Sequence, residues 1–97
     1  MVDHTRLSNK KTLKIGDTYA VTTGKYLGEF FVYMDSCQKY KKFLSLPKMI
    51  NREIEIKHID HALTKDILEF QEKLPREVKE VCVNQYKHNE KNIHRRK

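Results

Sequence analysis

The pair His58 and His61, the cysteines Cys37 and Cys82, and a surplus of cations are the residues whose chemistry packing alone does not explain. Two imidazoles spaced three apart approach each other only if their segment is helical. No cysteine or carboxylate constellation completes a closed tetrahedral site around them, so no metal is expected. Asp60 between them serves equally well to cap a turn. Cys37 and Cys82 lack any Ser/His/Asp pattern beside them, and two cysteines build neither a disulfide scaffold nor a zinc knuckle. The chain carries no phosphate loop, dinucleotide fingerprint or paired acids. Glu53 and Glu55 alternate with Ile54 and Ile56, as the wet side of a strand does. The reading is of a binding protein, with no enzyme activity, cofactor or small-molecule substrate.

The cations point elsewhere. Against 13 Asp+Glu stand 20 Lys+Arg, a net charge of +7 with histidines neutral. They fall into three groups. Arg6, Lys10, Lys11 and Lys14 form an arm; Lys39, Lys41 and Lys42 interleave with Tyr40, with Lys25 beside Tyr26; and Lys87, Lys91, Arg95, Arg96 and Lys97 form a tail against one acid, Glu90. Mobile cations displace the counterions condensed on phosphates, which makes nucleic acid, DNA or RNA, the first partner to consider. Tyr26 and Tyr40 beside lysines offer rings for unpaired bases, each stack worth ~1–3 kcal/mol, or else they pack over the mouth of the fold. An acidic protein is the second partner such a surface suits.

These residues need a scaffold, and 97 residues provide for one domain. Residues 1–11 are polar and aperiodic and read as a flexible basic arm; the domain proper runs over 12–97. The first residues hold no apolar segment of the kind a signal peptide needs. No apolar run approaches the ~18 residues of a membrane span, and the final helix is too poor in large apolar residues for a membrane surface. A cytoplasmic protein with reduced thiols is expected. Lysine far outnumbers arginine and alanine is scarce, usage that fits an AT-rich genome such as many phages carry.

Residues 12–60 read as strands: 12–15, then 18–23, 29–34, 42–46 and 53–59. Phe30, Phe31, Val32 and Tyr33 in succession predict a strand buried on both sides, or covered by a helix on one. The remainder changes period. Thr64 suits a helix cap with Asp66 in the first turn, and Ile67, Leu68, Phe70, Gln71 and Leu74 predict a short helix before Pro75. Pro75 then opens a second helix, whose apolar face is Val78, Val81, Cys82 and Tyr86. Cys82 on that face acts as a small hydrophobe. The two helices span 64–90, with 91–97 a basic tail. In so short a chain Phe30, Phe31, Leu44 and Ile56 are all expected in the core.

Gly16-Asp17, Val21, Gly24-Lys25-Tyr26, Gly28 and Val32 together resemble the KOW motif of SH3-like barrels over residues 14–34. In that family a Gly-Asp turn leads into a strand, a glycine-bounded loop reverses the chain, and a second strand follows. Phe30 and Phe31 stand where the family carries a further glycine. The resemblance implies a ribosomal or transcription-associated barrel that contacts RNA, DNA or a polymerase-type partner. Gly24 and Gly28 also suffice for a plain hairpin turn. The expectation is thus an α+β protein, a small SH3-like β-barrel of four to five strands followed by two C-terminal helices. Its function reads as sequence-tolerant nucleic-acid binding, phage-encoded and transcription-associated; the alternative is an inhibitor or adaptor docking on an acidic host protein.

Overall fold

A computed structural model describes residues 13–65 and 67–95. Five strands form one antiparallel sheet: β1 (Asp17–Val21), β2 (Phe30–Ser36), β3 (Tyr40–Leu46), β4 (Ile50–Glu55) and β5 (Leu68–Lys73), in the order β4-β3-β2-β1-β5. Two helices complete the α+β fold, α1 (Ile56–Thr64) between β4 and β5, and α2 (Arg76–Arg95) after β5. The Asp17 carboxylate accepts the Lys14 backbone N–H at 3.2 Å and fixes the turn that feeds β1. Ladders pair Tyr19 with Phe31, Tyr33 with Phe43, and Phe43 with Arg52, so those side chains share a face.

Both faces of the sheet are covered, as the unbroken apolar run in β2 predicts. Successive strand residues point to opposite sides. Phe31 and Tyr33 join Tyr19, Val21, Phe43 and Leu68 against Ile59, Ala62 and Leu63 of α1. Val32 and Met34 join Leu44 against Cys82 and Tyr86 of α2. Phe31, Val32, Phe43 and Leu44 are essentially sealed from water. Strands β4 and β5 stand at the two ends of the sheet and do not pair, so the sheet is not closed. Helix α1 packs on β3, β4 and β5 over the inner face.

The expected numbers of strands and helices are met, but their places differ from the sequence reading. The helix expected between Thr64 and Pro75 is instead the end of α1 followed by strand β5. Thr64 therefore closes a helix where it was expected to open one, and Asp66 lies outside the described residues. Leu68 pairs with Val21 and Phe70 with Tyr19. The reason is the vacant side of β1: its backbone needs a second ladder, and an apolar spacing as short as this one fits either period. The strand expected over 53–59 stops at Glu55, because Ile56, Ile59, Ala62 and Leu63 follow helical spacing and α1 buries Ile59, Ala62 and Leu63. Ile56, expected inside, is more than a third exposed, and so is Phe30. The strand expected over 12–15 is a turn at Ile15-Gly16, with Thr12 outside the described residues.

In α2 the Pro75 carbonyl accepts the Lys79 N–H at 2.8 Å, which places the proline at the helix entry, one residue before Arg76. Cys82 and Tyr86 face the sheet as expected, but Val78 and Val81 are exposed. The buried stripe runs instead through Cys82, Val83, Tyr86 and the polar Asn89 and Glu90. Among the described residues no helix is long and apolar enough to cross a membrane.

Candidate nucleic-acid interface

Antiparallel connectivity sorts the loops onto two ends of the sheet. One end carries residues 22–29, the turn 47–49 and the link 65–67, where the Thr22 N–H donates to the Ile67 carbonyl at 2.9 Å. The other carries residues 37–39, the start of α1 and Leu74-Pro75. Of the residues singled out in the sequence, Lys25 and Tyr26 fall at the first end. Lys39, Tyr40, Lys41 and Lys42 fall at or beside the second, so no single loop cluster unites the two groups.

The 22–29 loop is built tightly. Gly24 and Gly28 take φ values of 93° and 92°, which side chains resist, and the Leu27, Gly28 and Glu29 N–H groups donate to the Gly24, Val21 and Tyr26 carbonyls. The loop is pinned from β4. Arg52 donates to both Glu29 carboxylate oxygens, at 3.2 Å from Nε and 3.0 Å from Nη2, and its guanidinium lies 4.1 Å from the Tyr26 ring centroid. The buried Ser45 hydroxyl donates to the same carboxylate. The Arg52 hydrogen bonds hold the Glu29 carboxyl below its ordinary range; burial opposes them, and Ser45 and the charges of Arg52 and Lys48 add to them.

This arrangement assigns Tyr26 a packing role. Its ring leans on Phe31 with centroids 5.9 Å apart, takes the guanidinium of Arg52, and has Lys25 Nζ at 5.2 Å. The stacking surface expected of Tyr26 is in use within the fold. Around it, Lys25, Lys48 and Lys65 are exposed on three different loops, and among the described residues none sits within ion-pair distance of a carboxylate. Lys48, Lys65 and Arg52 escaped the sequence reading, because isolated cations carry no local signal; only the strand order places them toward one end of the sheet.

The opposite end is mixed in sign. Lys42 lies 3.7 Å from both Glu53 and Glu90 and so ties β3 to β4 and α2. Lys41 donates to the Ser36 hydroxyl at 3.4 Å and lies 5.8 Å from the Tyr33 ring centroid. Tyr40 is half-buried opposite Glu55, and Lys39 is exposed. Lys14 is exposed before β1, and Lys87 and Lys91, one turn apart on α2, are exposed as well. Lys10, Lys11, Arg96, Lys97 and the side chain of Arg95 lie outside the described residues.

Helix α2 is seated by amides. Asn51 donates to the Tyr86 carbonyl and to Glu90, both at 3.2 Å, while Asn89 donates to the Met49 carbonyl and to Asn51 Oδ1, both at 2.9 Å. Gln85 completes the chain by donating to Asn89. Burial, with nearby acids such as Glu90, pushes the Tyr86 hydroxyl well above its usual range.

The histidine pair has the helical setting its spacing requires, since His58 and His61 both lie in α1. His58 sits 3.3 Å from Glu55. Among the described residues no group of three or more His, Cys, Asp or Glu side chains is arranged to hold a metal. Cys82 is buried, which raises its thiol pKa, and Cys37 is exposed in the β2–β3 hairpin. Comparisons with protein-family models, curated proteins and solved structures return no match.

Proposed function

We propose that this chain is a small non-enzymatic nucleic-acid-binding accessory protein, largely sequence-tolerant, whose loop end meets the phosphate backbone. One observation carries the reading: Lys25, Lys48 and Lys65 stand exposed on three loops at one end of the sheet, none within ion-pair distance of a carboxylate among the described residues, while Arg52 neutralises Glu29, a carboxylate of the same end. A positive rim of this kind attracts a polyanion without reading its sequence. The KOW-like reading is part of the proposal. Gly16-Asp17 leads into β1, the 22–29 loop reverses the chain and β2 follows, with the sheet taken as an SH3-like barrel left open and filled by α1.

Retardation of nucleic acid in a gel at rising salt tests it. The log of the affinity should fall linearly with the log of salt, by about 0.9 per phosphate contact. An absence of binding at low salt overturns the proposal.

A second reading draws on Val78 and Val81, exposed on α2. They lie among Glu77, Lys79 and Glu80, and apolar side chains within a charged rim suit an adaptor that docks on another protein. A single protein retained from extract after nuclease treatment favours it.

A further inference from the structure

The aromatic residues expected to stack on bases are not free to do so, and another one is. Tyr26 is covered by Arg52 and Phe31, and Tyr40 is half-buried at the other end of the sheet. Phe30, the first residue of β2, is 43% exposed and makes no ring contact among the described residues. Helix α2 covers Val32 and Met34 further along the same strand face and leaves Phe30 open.

We propose that Phe30 is the stacking residue of this interface, and that the strand it takes carries unpaired bases. The inference rests on the nucleic-acid reading of the loop end. Phe30 follows directly on the 22–29 loop that bears Lys25. It pairs across the ladder with Leu46, two residues before Lys48 in the next turn. A ring between two cationic loops has the composition of a single-strand site, where lysines track phosphates and an aromatic face accepts any base. Phe70, similarly exposed, shows the contrast. Its ring already meets Tyr19 edge-on. Next to Phe30 in the chain, Glu29 is neutralised by Arg52, and Glu69 lies two strands away in the same cross-strand row, beyond Ala20.

Fluorescence anisotropy with a labelled oligothymidine, and with a duplex of equal length, reads the inference directly. Phe30→Ala should weaken oligothymidine binding by about tenfold, the loss of one stacked base, with the salt slope unchanged. Phe30→Tyr should retain it, and Phe70→Ala should bind as the unaltered protein does. Thermal melting of each variant separates lost stacking from lost folding, and the retained activity of Phe30→Tyr keeps the test decisive. Equal oligothymidine binding by Phe30→Ala, or tighter binding of the duplex by the unaltered protein, overturns the assignment while leaving the nucleic-acid reading intact. No binding of either probe by the unaltered protein at low salt removes both.

Discussion

Arg52 on β4 and Glu29 at the end of the 22–29 loop are joined by two hydrogen bonds, 3.2 and 3.0 Å long, one to each carboxylate oxygen, across the sheet strand that separates them. The fork geometry suits guanidinium and carboxylate, and the same guanidinium lies against Tyr26. One side chain thereby anchors the base of the loop through charge and its interior through a ring. The loop that presents Lys25 is therefore held in shape before any partner arrives.

Removing that anchor should cost stability. Arg52→Ala deletes two charge-assisted hydrogen bonds and the contact with Tyr26, an expected loss of about 1.5–3 kcal/mol, measured by urea unfolding. Amide exchange should quicken in residues 24–28 well before it does in β2.

The same pair sets an acid limit. The folded-state pKa of Glu29 is lowered, so its contribution is present above the unfolded carboxylate pKa, about 4.3. It is lost as pH falls through the lower folded value. Glu29→Gln should lower stability at neutral pH and flatten the acid side of a stability profile measured by denaturant unfolding from neutral pH downward.

The Asn51–Asn89 contact should be needed to hold α2 on β4. Asn51→Ala leaves the Asn89 amide with one acceptor fewer and frees Glu90 from a donor. A cost of about 1–3 kcal/mol is expected, with amide protection falling in the second half of α2 and unaffected in β1 and β2.

Gly16 separates backbone strain from crowding. Its φ is 96°, and a Cβ built there lies 2.7 Å from Cδ of Lys79. Gly16→Ala should destabilise by about 1 kcal/mol through the backbone alone. Adding Lys79→Ala should recover only the crowding share, which a double-mutant cycle in urea reads out.

Lysines at the two ends should behave differently. Lys25→Ala with Lys48→Ala should reduce the salt slope of nucleic-acid binding by about 0.9 per lost contact. Lys42→Ala should leave the slope alone and cost at most about 1 kcal/mol of stability, because its two carboxylate contacts are partly exposed.

The outcome for individual segments shows what a local pattern can carry. The run Phe30-Phe31-Val32-Tyr33 implied burial on both sides or a helix over one; Phe31, Val32 and Tyr33 are covered on both faces, while Phe30 at the strand's start is exposed. Glycines at 24 and 28 implied a reversal, which is present, and of the helix face read as Val78, Val81, Cys82 and Tyr86 only Cys82 and Tyr86 are buried. The segment 67–74 misled because its apolar spacing suits either period, and Ile54 with Ile56 misled because the alternation runs on into Ile56, the first residue of α1. Tyr26 left two roles open in the sequence, stacking on bases or packing over the mouth of the fold, and the arginine that arrives from β4 engages its ring in packing.

From residue order alone came the charge surplus, the apolar strand and the turn chemistry, all of which depend on composition or on neighbours a few positions apart. Only the folded chain decided that 68–73 is a strand, that Arg52 closes on Glu29, and that Lys25, Lys48 and Lys65 share one end. Those outcomes depend on which strand edge remains to be paired and which loops the strand order brings together, and no short window of sequence contains that information.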